Sequence, residues 1–384
     1  MISIGPSIIL NEGGGAAFRH KIYANNIGKL FIVVSSFKEQ NLKETSLSDN
    51  LTVYPTHSKN KVLFLFDAIK IARTIIKTSS IDLIVTQDPF ATGLIALILK
   101  KVYKIPMMIG NHSSFLGNEF WMMEKPIQNF IFTIIAKIVL KKADGMRVVN
   151  SGQINEYSKI GIPKSRIFYL PTPVPLDAFI EKHPKELIND LKNNLGIFGK
   201  KIALWVGDPN QKAKDIDTLF NSIIFCLRKT NNIAFCLIGN FEKFSPLSEE
   251  ILRLINEKRL ILLGHIDHNM LGLYYHMCDV YFHTSKYEGL PKVMIEASCA
   301  GKPIVSTNFS GSNAIVKDKY NGLTAKIGDH KTIAKHIIHL MNDDALRKKM
   351  GELSKKFVME NFNYHKQSKT VTNNWKKVYK NFHE

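Results

Sequence analysis

The chain has 384 residues, 45% hydrophobic and 22% charged, which gives room for two ordinary domains and excludes a disordered or fibrous chain. A formal net charge of +19 suits anionic partners such as a nucleotide sugar, a phospholipid surface or nucleic acid; no nucleic-acid-binding motif accompanies it, so no nucleic-acid partner is expected. No apolar run of about eighteen residues suggests a membrane span, no leader pattern opens the chain, and Cys226, Cys236, Cys278 and Cys299 lie in apolar surroundings without ligand spacing, so the expected location is cytoplasmic.

In the first half, short apolar runs at 2–4, 30–36, 62–66, 81–86, 106–110, 146–150 and 167–170 read as strands. Helical patterns at 16–26, 67–78, 91–102, 127–141 and 151–159 alternate with them. That alternation predicts a doubly wound parallel sheet, with ligands beyond the C-terminal ends of its strands. The first such loop, Asn11-Glu12-Gly13-Gly14-Gly15-Ala16, has three glycines that would let backbone approach a ligand closely, or simply make a tight turn. Gln87-Asp88-Pro89 and Ile109-Gly110-Asn111-His112 follow two further strands. The stretch around 130–140 mixes Ile, Phe and Val with Lys137, Lys141 and Lys142; it reads as a core helix or as one lying on an anionic membrane surface. Pro171-Thr172-Pro173-Val174-Pro175 is a stiff, extended crossing, and places a domain boundary near residue 180.

The second half repeats the pattern, with strands expected at 202–206, 234–238, 260–263, 280–282, 304–307 and 323–325. Gly207, Gly239 and Ile266 lie just beyond three of these runs. Asp215-Ile216-Asp217 spells a metal-binding tripeptide, but here it opens a helix, where aspartate suits the positive dipole end; no metal site is expected. The segment from His283 to Pro303 carries a strand end, a loop with Ser285, Glu288-Gly289-Leu290-Pro291, and a helix running to Gly301. A helix mouth offers unpaired N–H groups to a phosphate, and Glu288 and Glu296 could each accept paired hydrogen bonds from sugar or ribose hydroxyls. Two glutamates at this spacing also occur by chance in helices. The tail has Tyr364, Val371, Trp375, Val378 and Tyr379 at helical spacing.

Ser285, Glu288-Gly289-Leu290-Pro291, Glu296-Ala297, Gly301-Lys302-Pro303, Gly311 and Asn321-Gly322 together resemble the signature segment of retaining glycosyltransferases of family 4. The resemblance extends more weakly over almost the whole chain. It implies the GT-B fold, an α/β architecture of two Rossmann-like parallel-sheet domains facing across a cleft. Residues 1–180 would form the acceptor-side domain, with a C-terminal helix at 363–384 packing back on it, and residues 181–362 the nucleotide-sugar domain. The donor would be a nucleotide-diphosphate sugar, with no cofactor and no metal, and the acceptor a glycan or lipid-linked hydroxyl at the inner face of the membrane.

By the same resemblance Glu288, Lys214 and His112 are the catalytic candidates. Gly14, Gly15, Gly207, Lys212, Gly239, Ile266, Ser285, Gly289, Leu290 and Glu296 are the substrate-binding ones. Lys214, or Lys212 as the alternative, would neutralise the departing diphosphate, and both Glu296→Ala and Lys214→Ala are expected to abolish transfer without unfolding. Two departures stand out: Asp208 occupies the place of a family arginine, and Ala314 that of a glutamate. The alternatives are a sugar-nucleotide epimerase of the same shape and a sugar-binding protein without catalysis.

Overall fold

The computed structural model describes residues 1–10, 15–244 and 247–384 and divides into two compact units, Met1–Pro173 with Tyr364–Glu384, and Val174–Asn363. In the first, the described residues form an eight-stranded sheet in the order β3-β4-β2-β1-β5-β6-β7-β8. Its strands are β1 (Ile2–Ser3), β2 (Leu30–Val34), β3 (Thr45–Ser48), β4 (Leu51–Pro55), β5 (Ile84–Thr86), β6 (Met107–Asn111), β7 (Gly145–Val148) and β8 (Ile167–Tyr169). All neighbours pair parallel except β3 and β4. Right-handed crossovers through intervening helices are what such pairing requires.

The strand expected at 62–66 is instead the first turn of the helix Leu63–Thr78. Its apolar run misleads because Phe64, Ala68, Ala72 and Ile75 are buried at helical spacing while Val62 and Phe66 are exposed. The strand that does occupy this place is β4, where Leu51, Val53 and Pro55 alternate inward. That is the period of two expected of a sheet with one busy face. β3 is a short, polar edge strand with no buried residue, so nothing in its hydrophobicity marks it.

The second unit has a six-stranded, all-parallel sheet among its described residues, ordered β11-β10-β9-β12-β13-β14. The strands are β9 (Lys201–Val206), β10 (Ile233–Ile238), β11 (Leu260–Leu262), β12 (Val280–His283), β13 (Ile304–Thr307) and β14 (Gly322–Ala325). β9 and β10 are near-continuous apolar runs because both their faces are covered: Leu204 and Cys236 point into one core, Trp205 and Phe235 into the other.

The division between units falls at Pro173/Val174, seven residues before the expected boundary, because Val174, Leu176 and Phe179 are buried in the second unit's core. The helix Tyr364–His383 belongs to the first unit and packs on Gly15–Ile27. Tyr23 meets Trp375 edge-on at 5.2 Å, and Phe18 stacks on Tyr364 at 5.5 Å.

Candidate functional site

In a parallel sheet the loops that leave the C-terminal strand ends lie side by side. In the second unit these are the loops after β9, β10, β11, β12 and β13, and hydrogen bonds sew them together. The Lys286 amide donates to Ala213 O at 2.7 Å, the Thr284 hydroxyl to Lys214 O at 3.0 Å, and the Thr307 hydroxyl to Ser285 O at 2.6 Å. The Gly207 amide donates to Ile238 O at 3.0 Å and the Gly239 amide to Gly264 O at 2.9 Å. Gly239 must be glycine: a Cβ there would lie 2.2 Å from the Gly207 carbonyl oxygen. The contribution of Gly207 and Gly239 visible here is thus close packing of two strand ends.

This frame brings Lys214 to Glu288. The Lys214 Nζ donates to Glu288 Oε1 at 2.8 Å, and Lys214 is buried. The same carboxylate oxygen lies 2.6 Å from His283 Nε2 and accepts from the Ser285 hydroxyl. His283 is fully buried, and its Nδ1 is 3.1 Å from the Tyr281 hydroxyl. Burial by itself would raise the Glu288 pKa, but the Lys214 charge, then His283, outweigh it and hold the carboxyl well below the usual range. Burial lowers the His283 pKa, and the opposing pull of Glu288 does not reverse that. The pair is therefore an ionised carboxylate and an ammonium, with a neutral imidazole as neighbour.

Asp215 anchors the lysine's loop. It adopts a left-handed backbone (φ 49°) and is buried, accepting from the Thr218 hydroxyl at 2.7 Å and facing Lys286 Nζ at 3.3 Å. Its carboxylate is committed to this structural role. Asp217 is exposed in the helix's first turn. Among the described residues no three His, Cys, Asp or Glu side chains are grouped to hold a metal ion. Lys212 is exposed, in contrast to Lys214.

Glu296 belongs to a second group. On the helix Lys292–Cys299 it is buried, accepting from the Tyr275 hydroxyl at 3.0 Å and lying 3.2 Å from Nε2 of the largely exposed His268. The hydrogen bond to Glu296 raises the His268 pKa, against partial burial. Both Glu296 and Lys214 are thus buried side chains with hydrogen-bond partners in their own unit. Glu288 and Glu296 share a neighbour in Tyr281, whose phenol burial first, then both carboxylates, push well above its usual pKa.

Gly289 is pinned by Gly311, where a Cβ would come within 2.7 Å of the Glu288 and Gly289 carbonyl oxygens. Leu290 and Ile266 are partly buried against the core. Asp208, in place of the cation expected by resemblance, accepts from the Asn210 amide at 3.0 Å and the Gln211 side chain at 3.3 Å, closing its own turn. Ala314 ends a short 3-10 turn, Ser312–Ala314, and offers no carboxylate.

In the first unit, Gly15 opens its helix, and Gly14 lies outside the described residues. His112 follows β6, with Nδ1 3.4 Å from the Thr172 hydroxyl. At the end of β5, Gln87 accepts from the Ser3 hydroxyl at 2.8 Å. Asp88 is buried, accepting from the Phe90 amide and Thr92 hydroxyl, and burial raises its pKa. Its place is to cap the following helix. Sequence reasoning gave no role to His283, Tyr275 or His268. His283 alone carried a signal, as a polar residue closing an otherwise apolar strand.

Comparison with known proteins agrees with this arrangement on both units. Residues 29–178 match the family model described as Glycosyltransferase Family 4, and residues 188–357 that described as Glycosyl transferases group 1. An uncharacterised glycosyltransferase of Methanocaldococcus jannaschii is 25% identical over 296 residues, covering 77% of this chain and 76% of that one. The alpha-monoglucosyldiacylglycerol synthase of Acholeplasma laidlawii is 23% identical, covering 72% and 69%. Among solved structures, sucrose-phosphate synthase of Thermosynechococcus elongatus aligns with a TM-score of 0.79 at 18% identity, covering 96% of this chain and 94% of that one. Anabaena HepE in complex with UDP and glucose aligns with a TM-score of 0.75 at 15% identity, covering 98% of each.

Proposed function

Because the chain belongs to the family 4, group 1 glycosyltransferases and has the GT-B fold, we propose that it moves a sugar from a nucleotide-diphosphate donor to an acceptor hydroxyl with retention at the anomeric carbon and without a metal ion. The observation that carries this reading is the ion pair of buried Lys214 with partly buried Glu288 at the strand ends, 2.8 Å long. A buried ammonium is costly unless an anion accompanies it. Glu288 fills that role in the free protein, and a donor diphosphate would add negative charge beside it at the moment of bond breaking.

In this scheme the anomeric C–O bond breaks with its electrons passing to the diphosphate oxygen, and Lys214 stabilises that charge. The sugar passes through an oxocarbenium-like transition state. The acceptor oxygen forms the new bond on the face the diphosphate leaves, and its proton passes to the departing diphosphate oxygen. Glu288 holds the donor sugar, and its neutral neighbour His283 leaves the carboxylate fully charged. Ser285 and the Gly289 and Leu290 backbone line the donor's path; Gly207, Gly239 and Ile266 shape its base end, and Glu296 holds the ribose, with His268 beside it. Lys212 offers a second, solvent-facing cation. His112, Gly14 and Gly15 of the first unit are assigned to the donor sugar or the acceptor.

Two named relatives support a lipid-linked acceptor: the Acholeplasma glycolipid synthase and an Escherichia coli galactosyltransferase acting on a GlcNAc-diphosphoundecaprenol, the latter 27% identical over 47% of this chain. The UDP and UDP-glucose complexes of Anabaena HepE support a UDP-sugar donor. A thermal-shift screen of UDP-, GDP- and ADP-sugars tests the reading, since a donor at about 100 times its Kd stabilises the protein by about 2.7 kcal/mol. One class should raise the melting temperature; no shift with any of them contradicts it.

A further inference from the structure

The helix Pro126–Lys142 turns two different faces outward and inward. Asn129, Ala136, Val139 and Leu140 are buried. On the opposite side Ile127, Phe130, Ile131, Ile134 and Ile138 recur at intervals of three and four residues, and each is between 46% and 81% exposed. Residues at this spacing form one continuous stripe along a helix. Single exposed apolar side chains are ordinary; five in a row on one helix face are not, and such a patch marks a surface that is covered in use.

The charge around the stripe selects what covers it. Lys137, Lys141 and Lys142 sit in the helix's C-terminal half, all exposed, and the helix has no acidic residue. The chain as a whole carries +19. A second copy of the chain would bring the same lysines against these, whereas an anionic surface would neutralise them. Seventeen residues with lysines at one end do not cross a bilayer, and no described helix is long and apolar enough to do so. Apolar side chains on one side, lysines at their margin and a length short of a span describe a helix lying in the plane of a membrane interface.

We propose that the exposed face of Pro126–Lys142 docks this glycosyltransferase on an anionic phospholipid surface, with the isoleucine stripe in the acyl boundary and Lys137, Lys141 and Lys142 at the headgroups. Docking is a property of this helix in the first unit and does not require that the donor reading above be right.

The test is co-sedimentation of the full chain with phosphatidylcholine vesicles, with and without phosphatidylglycerol. Wild-type protein should pellet with the anionic vesicles and release as salt rises. Ile131→Ser with Ile134→Ser should lower the affinity about tenfold or more. Lys137→Ala with Lys141→Ala and Lys142→Ala should lower it about a hundredfold. All five positions are at the surface, so the melting temperature, measured in parallel, should stay at the wild-type value. Protein that remains in the supernatant overturns the proposal, as does equal binding to neutral vesicles or full binding by the isoleucine variant. Sedimentation velocity giving a dimer that the isoleucine variant alone dissociates would also overturn it, in favour of a second copy as the occupant.

Discussion

Lys214 and Glu288 lie 74 positions apart in the chain and meet at 2.8 Å, joining the loop after β9 to the loop after β12. Neither loop holds its partner through secondary structure. The pair is held by hydrogen bonds around it, from the Thr284 hydroxyl to Lys214 O and from the Lys286 amide to Ala213 O.

Glu288→Gln and Lys214→Met should each destabilise the second unit by about 3 kcal/mol, because each leaves a partly or fully buried charge without its counterpart. The double variant should recover most of that loss and still fail to transfer sugar. Chemical denaturation of the four proteins of this cycle separates the pair's energetic role from its catalytic one.

The lowered Glu288 pKa has a defined pH signature. The unfolded chain binds a proton at this site at ordinary glutamate pH, and the folded one does not. The stability from the ionised carboxylate is therefore present above about pH 4.3, and is lost as pH falls toward the lowered folded value. The stability gap between wild type and Glu288→Gln should shrink through that acid range and hold constant near neutrality, as read from denaturant midpoints at stepped pH.

His268 should behave with the opposite sign. Its hydrogen bond to Glu296 raises its pKa, so its contribution is complete below about pH 6.5 and fades as pH rises through the raised folded value. The melting-temperature difference between wild type and His268→Ala should be largest in mild acid and diminish in alkali. The His268 side chain is largely exposed, so the difference is small.

Gly311→Ala should move the Glu288 loop without touching the carboxylate itself. The new methyl would sit 2.7 Å from two carbonyl oxygens, an overpacking that costs about 1–3 kcal/mol. Transfer should fall more than the melting temperature does, and comparing the two readouts checks it.

Strands β9 to β12 of the second unit were readable because each is built on an apolar run bounded by glycine or a polar residue, as in residues 233–239. The first unit was less legible. Its run at 62–66 has the composition of a strand, and only burial at Phe64, Ala68 and Ala72 reveals the helix. Glu288 and Lys214 could be picked out one at a time by their resemblance to a family pattern. Their direct contact could not, because it depends on how two loops from non-adjacent segments pack. The His268–Glu296–Tyr275 group was invisible for the same reason: its members come from three separate elements, and an isolated histidine in a polar loop carries no sign of its partner.

The most direct test of the catalytic assignment is the rate of nucleoside-diphosphate release from the stabilising donor, measured for wild type and Lys214→Met at a temperature where both are folded. Loss of an electrostatic stabiliser of the leaving group predicts a fall of about a hundredfold to a thousandfold, with donor binding weakened far less. A Lys214→Met protein that binds donor and releases diphosphate at the wild-type rate would contradict the account.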